Sequence, residues 1–416
     1  MNHQSNIPDA WRVIINCVRC AIHGCPPPDE LNDTNWAGLL RQARAHSIEC
    51  YLFPWLCRYL PDQFSASANV ATDSPQAAWR AIALEHLKLT LIRQQQTAQI
   101  LKAFAGNRIA VVPLKGTWLC EKIYLEPSQR SMVDIDLLVR KADIERGHLV
   151  LSAMGYHSQQ EQLGNKHIYD CAYQHPAFQT FIELHWNVES EMISGAVIPD
   201  IERVWGRIHT AKILGHSVQE FTLEDQLSHL IQHILHHRLA VPLKSYIDIA
   251  LLIQQHGCEI SAKELKKIAI FWKTELALPI ILEMVAQLFS IVLPAQIRKG
   301  FATADQVLVS TACQALFELH ESKSRVYEYH LLHYRQTSTV GKLKLIVGRI
   351  CMPQSFMILH YPFVRHHFLL PAAWLLRAIK LTGHTGRRLI CLKQSDSMLD
   401  NTAAREMIIK KLTPKE

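Results

Sequence analysis

The sequence lacks an apolar run long enough to cross a bilayer, which takes about 20 residues. Its longest, "LALPIILEMVAQLFSIVLPA" at 276–295, is interrupted by Pro279, Glu283 and Gln287, and "FLLPAAWLL" at 368–376 is too short. No secretory leader is recognisable at the N-terminus. The 11 cysteines are odd in number and scattered, so they form no disulfide framework. "CVRC" at 17–20, with Cys25 nearby, supplies half of a zinc spacing but has no second Cys or His pair at a suitable distance. Buried helical cysteines in a reduced, cytoplasmic protein are the expectation. Internal repeats and low-complexity tracts are missing as well. These absences argue against a membrane-spanning chain, a disulfide-stapled secreted domain and a repeat solenoid.

What is present is the composition of a globular protein. Of the 416 residues 49% are apolar and 19% charged, enough to bury a core in two or three domains and too apolar for a disordered chain. Lysine and arginine number 44 against 37 acids, a net charge of +7 that favours anionic partners. That excess is diffuse, and the central part of the chain carries no interleaved basic and aromatic motif. A small phosphorylated ligand fits it, and nucleic acid is not the expected partner.

The texture changes along the chain. Residues 1–105 read as an N-terminal helical region. Within it Leu84, Leu87, Leu91, Ala98 and Leu101 recur at helical spacing and predict one apolar stripe packed on the α/β segment C-terminal to it. Residues 106–221 read as a mixed α/β domain, with β-type runs "IAVVPL", "MVDIDLLV", "GYHSQQ", "HIYDCAYQ" and "TFIELHW", then an irregular segment and "HSVQEF". Helices are expected between the strands at 117–125 and 142–153. Residues 222–335 return to helices, opened by Thr222 as an N-cap with Asp225 three residues on, and one of them ends at Gly257. Residues 336–416 form a basic region, partly helical. There Arg377 and Lys380 lie near Phe368 and Trp374, which reads either as a surface-bound helix near 366–380 in weak peripheral contact with anionic lipid, or as a helical subdomain with solvated lysines.

Chemistry concentrates in "LKGTWLCEKIYLEPSQRSMVDIDLLV", residues 114–139. On a strand Asp134 and Asp136 project from one face, and Val133, Ile135 and Leu137 from the other. Like charges that close destabilise one another unless a cation sits between them or one is protonated. Mg²⁺ suits such a pair, since it takes hard oxygen ligands and is often held by one or two carboxylates plus substrate phosphate. Glu183, in "FIELHW", is the candidate third acid needed if two ions are to be held, and it shares a strand face with His185. If this strand pairs beside 132–139, three acids meet. Each feature alone is also met on solvated edge strands.

Upstream, Lys115-Gly116 followed by a helix from Thr117 is a junction that can face a phosphate with backbone N–H groups. Lys115 adds charge there, or else its stem covers the sheet edge. Further on, "SHLIQHILHH" places His229, His233 and His237 on one helical face, without the His-Glu-x-x-His of a zinc helix. A structural or substrate-contacting role is expected of them.

In order, "LKG", a Tyr and Arg130, "DIDLLV" and "IELHW" resemble the uncharacterised nucleotidyltransferases of the DNA polymerase beta-like superfamily. The similarity runs on through "LEDQLSHLIQHILHHRLAVPLKSYIDIALLI" and "RICMPQSFMILHYP", over about residues 35–380. The resemblance implies a minimal nucleotidyltransferase fold flanked by helical regions, with Asp134, Asp136 and Glu183 binding Mg²⁺ or Mn²⁺, two ions in all. It implies attack of a hydroxyl or phosphate on the α-phosphate of an NTP, with release of pyrophosphate, and an acceptor that is a small molecule, peptide or saccharide. Lys115, Gly116, Thr117 and Arg130 would contact the nucleotide, although better-known members carry Gly-Ser at this turn. Arg130 has a second role open to it, holding the aspartates. His185 is either a proton-transfer or substrate group or a packed histidine, and His233, His237 and Asp248 fall where the family has similar residues. The alternative to an enzyme is an inactive module of the same fold that binds nucleotide or a partner.

Overall fold

The structure is a computed structural model that describes residues 9–31, 34–65, 68, 71–158, 170–178, 180–188, 199–317, 347, 350–351, 354, 357, 361–391 and 405–413. Helices α1 (Asp9–His23), α2 (Trp36–Ala45), α3 (Glu49–Tyr59), α4 (Pro61–Phe64) and the long α5 (Pro75–Gly106) come first. Strand β1 (Val111–Pro113), α6 (Lys115–Lys122), β2 (Asp134–Val139), α7 (Ile144–Ala153), β3 (His157–Ser158), β4 (Asp170–Gln174) and β5 (Phe181–His185) come next. After α8 (Ile201–Trp205), strands β6 (His209–Ile213) and β7 (His216–Glu220) form a separate antiparallel pair. Helices α9 (Leu223–His236), α10 (Lys244–His256), α11 (Ala262–Trp272), α12 (Ala277–Phe289), α13 (Ala295–Gly300), α14 (Gln306–Phe317) and α15 (Leu370–Cys391) complete the labelled elements. The architecture is the mixed α/β sheet with helical flanks expected from the sequence.

The sheet has the order β1-β2-β5-β4-β3. Only β2 and β5 run parallel; the other neighbours are antiparallel. Both faces of β2 are covered. Ile135, Leu137 and Val139 join a core that extends from Ile14 of α1 to Phe289 of α12. Leu138, on the other face, packs in a smaller cluster with Val112, Leu114, Phe221 and Trp272. The acids at 134 and 136 therefore lie on the face of the smaller cluster, toward the start of the strand. Helix α1 is tied to α12, since Arg19 donates to the carbonyls of Gln287 and Leu288 at 2.9 and 2.7 Å.

Several local expectations change. The stripe on α5 does not pack: Leu84, Leu87 and Leu91 are 55, 41 and 58% exposed, although Leu101 is buried. The residues α5 buries are Trp79, Thr90, Arg93, Gln96, Thr97, Ile100, Leu101 and Phe104. At about 100° per residue Leu84, Leu87 and Leu91 lie on a different side of the helix from the buried set, so apolar spacing alone selected the wrong face. β2 begins at Asp134, and Val133 is exposed instead of joining the apolar face. The segment expected to be irregular at 209–213 is β6, paired with β7 across Leu214-Gly215. Both turn residues have positive φ, 49° and 79°, as a two-residue type I′ hairpin requires.

Thr222 caps α9 as expected, accepting from the Asp225 N–H at 3.2 Å, and Gly257 ends α10. Ten cysteines, from Cys17 to Cys351, are free. No helix among the described residues is long and apolar enough to cross a membrane. The tail forms α15 in the expected region, with Phe368, Leu375, Leu376 and Ile379 exposed.

Candidate active site

The parallel register of β2 and β5 sets Asp136 beside Glu183 and Leu138 beside His185. Alternation then puts Asp134, Asp136, Glu183 and His185 on one face. The expected convergence of two sequence pieces is present. His185 Nε2 lies 2.9 Å from Asp136 Oδ1 and 3.4 Å from Glu183 Oε2. One donor atom each from Asp136, Glu183 and His185 falls within 4.8 Å of the others, the group among the described residues that could hold a metal ion. Asp134 is outside that group, and His185 is within it.

Asp136 is buried, at 2% exposure. Lys115 Nζ stands 3.2 Å from its Oδ1, so lysine and histidine share one carboxylate oxygen. Burial alone would raise the Asp136 pKa, but the Lys115 charge and the His185 hydrogen bond outweigh it and hold the carboxyl well below its ordinary range. Burial opposes charge on His185 in the same way, and its bonds to Asp136 and Glu183 raise it to about 9. For Asp134, burial, reinforced by the charges of Asp136 and Glu183, outweighs the Lys115 charge and a backbone hydrogen bond and raises the carboxyl to about 6.

The donor set of two carboxylates and an imidazole fits a divalent cation. A nitrogen ligand shifts the preference from Mg²⁺ toward Mn²⁺ or a later metal. Coordination through Nε2 requires release of the His185 proton.

The turn before α6 is occupied by protein. Lys115 adopts φ 42°, a left-handed conformation that a non-glycine residue holds only under constraint. A Cβ on Gly116 would meet Arg130 Nη1 at 2.5 Å and Met132 Sδ at 2.9 Å, so the glycine admits these side chains. The Thr117 hydroxyl accepts the Asp136 backbone N–H at 3.1 Å, which fastens β2 to α6. Gly116→Ala is therefore expected to lower stability by about 1–3 kcal/mol. A denaturant midpoint equal to that of the parent chain would show that Arg130 swings away freely.

Arg130 cannot do so without breaking a buried pair. Its Nε and Nη2 donate to Asp248 Oδ1 and Oδ2 at 2.8 and 2.9 Å, and Tyr124 donates to Oδ1 at 2.7 Å. Burial works against the guanidinium charge, and Asp248 more than restores it, raising Arg130 above its usual range. The second-tier residue Asp248 thus anchors the α6–β2 connection through Arg130. Of the two roles open to Arg130, the geometry supplies a carboxylate partner, though on α10 and not among the strand aspartates.

Helix α9 brings histidines toward the site. His229 is buried against Phe221 and Trp272, at ring distances of 5.8 and 5.6 Å. Burial, aided by the charges of Lys115 and His185, lowers it to about 3. Burial, then His237 and Lys115, also lower His233 well below the ordinary value. His237 is exposed and packs edge-on against the His233 ring at 4.5 Å.

Sequence reasoning missed Asp170, which the β4–β5 register sets beside His185. Burial raises its pKa, with His185 pulling it down and Glu183 pushing it up. Its only sequence signal was its place in "HIYDCAYQ", where a single acid carries no period. Arg93 and Lys244, whose charges reach Asp134, were missed as well.

Acids and a histidine drawn from two adjacent parallel strands, with a lysine at the preceding strand–helix turn, define a candidate centre for metal-assisted phosphoryl chemistry. The chain belongs to a family described as uncharacterised nucleotidyltransferases, whose model matches residues 32–290. Among solved structures it is similar to the antibiotic-resistance factor ANT(2'')-Ia, at 16% identity and a TM-score of 0.33, over 45% of this chain and 95% of that one. No curated protein matches the chain.

Proposed function

We propose that the protein is a cytoplasmic, divalent-cation-dependent nucleotidyltransferase. It transfers NMP from an NTP to a hydroxyl or phosphate of a small-molecule, peptide or saccharide acceptor and releases pyrophosphate. The observation that carries this reading is the meeting of Asp136, Glu183 and His185 within 4.8 Å on paired strands, in a chain of this family. Asp136 and Glu183 would hold the cation, with His185 as a third ligand or as the group that orients both acids. Such an ion neutralises phosphate charge and favours ionisation of an attacking hydroxyl.

Asp134 is the acid left for a second ion. Its carboxyl is raised to about 6 beside Asp136 and Glu183, a repulsion that further positive charge would relieve. Mg²⁺ and Mn²⁺ are the proposed ions, two when substrate is bound. Lys115 and the α6 N-terminus lie next to the acids and would receive phosphate oxygens. The chain's own part is positioning and charge neutralisation, with few covalent steps.

The test is pyrophosphate release from each of the four NTPs with Mg²⁺ or Mn²⁺ across a pool of hydroxyl and phosphate acceptors. Turnover is expected to need the metal, to stop with EDTA and to return with Mn²⁺. Tight binding of metal and NTP without pyrophosphate release across the pool would instead favour a regulatory module of the same fold.

A further inference from the structure

In its middle, helix α5 buries Thr90, Arg93, Gln96 and Thr97 and exposes Leu84, Leu87 and Leu91. His86, Thr90, Arg93 and Thr97 recur at steps of four, three and four, so they share a face. That face meets the connection leading into β2: a His86 ring nitrogen lies 3.4 Å from the Arg130 carbonyl oxygen. Its neighbours have protein partners. Thr90 donates to the His86 carbonyl at 2.9 Å, and Gln96 donates to the Tyr156 hydroxyl at 3.0 Å.

Arg93 is the exception. It is only 7% exposed, and its Nε and Nη1 are sealed from solvent without a hydrogen-bond partner among the described residues. A buried cation without a partner is costly.

The surroundings of Arg93 are rich in cations. Lys244 donates to the Ser131 carbonyl at 2.9 Å. Burial, with Arg130 adding to it, pushes the Lys244 ammonium down to about 8. Asp248 is taken up by Arg130 and Tyr124. Asp134 is the carboxylate whose charge reaches Arg93, and it lies in the acidic face that the proposed chemistry uses.

We propose that Arg93 is a ligand for a phosphate-bearing anion that enters beside Asp134, gripping it from the α5 side while Lys115 stands on the other side of the acids. A guanidinium presents a planar fork that fits two phosphate oxygens, which a lysine cannot reproduce. The anion site stands on the burial and unmet donors of Arg93. Only its assignment to a nucleotide or to an acceptor rests on the transfer function proposed above. In that setting the phosphate is either part of the NTP chain or carried by the acceptor.

The test uses the full-length protein with Arg93→Met and Arg93→Lys. Without ligand, Arg93→Met replaces an unpaired buried cation by an apolar side chain of similar length and is expected to raise the unfolding midpoint by about 2–4 °C. Calorimetric titration then measures MnATP binding, and separately orthophosphate binding to the protein alone and to MnATP-saturated protein. Arg93→Met is expected to weaken one of these by about ten- to a hundredfold, with Arg93→Lys intermediate. Loss in the first titration assigns Arg93 to the nucleotide, and loss in the second assigns it to the acceptor.

Wild-type affinity for both ligands in both folded variants overturns the proposal, as does failure of the parent protein to bind either. A parent chain that binds orthophosphate through Arg93 but neither binds MnATP nor releases pyrophosphate upholds the anion site and removes the nucleotidyl-transfer function.

Discussion

Asp136→Asn is expected to reduce pyrophosphate release by more than about 10³-fold, because it removes the carboxylate that Lys115 and His185 contact and that the proposed cation would need. Asparagine is preferable to alanine, since it keeps an oxygen near Lys115 Nζ and His185 Nε2, which stand 3.2 and 2.9 Å from Asp136 Oδ1. The two cations still lose their counter-charge at a buried position, so the unfolding midpoint should fall as well. Rates are therefore compared at a temperature where circular dichroism shows the variant folded. The same variant should lose Mn²⁺ affinity in calorimetry. Turnover at the parent rate would place the reaction centre elsewhere.

Asp248→Ala should have the largest effect on stability. It strands the Arg130 guanidinium, 9% exposed, in the protein interior. Breaking a buried pair from one side costs about 3–5 kcal/mol. Urea unfolding measures it directly. The double variant Arg130→Met, Asp248→Leu removes both charges and should recover most of the loss, since a well-packed apolar pair often replaces a buried ion pair at little cost. Recovery of stability without recovery of turnover would show that the pair also positions the connection bearing Asp134. An Asp248→Ala midpoint equal to the parent's would mean that the connection is held by other contacts, among them Lys244 on Ser131.

The acidic face was legible because strand alternation is a local rule. Asp134 and Asp136 two apart, and Glu183 and His185 two apart, declare their faces without knowledge of the fold. Pairing of β2 with β5 was an inference from chemistry, and the register bears it out. Illegible were relations between distant pieces with no period in common. Arg130 and Asp248 are 118 residues apart, and neither position alone names the other. Asp170 becomes part of the site only through the β4–β5 register. Helix α5 misled for a physical reason: its leucines satisfied an apolar count, whereas its packed side carries Thr90, Arg93, Gln96 and Thr97. The strand β6, "HTAKI", was hidden because it is largely exposed and its pairing depends on the turn at Leu214-Gly215.

The order of strands bears on how the protein acquires its chemistry. β4 and β5 are antiparallel neighbours, so they can zip together early as a compact unit. β5 must then dock in parallel against β2, across a crossover containing α7, β3 and β4, before Glu183 and His185 reach Asp136. Such long-range parallel closure is slow, because chain entropy is lost before the contacts repay it. Assembly of the candidate site is thus expected late in folding, and a nascent or truncated chain without β5 would carry its aspartates with no partner strand.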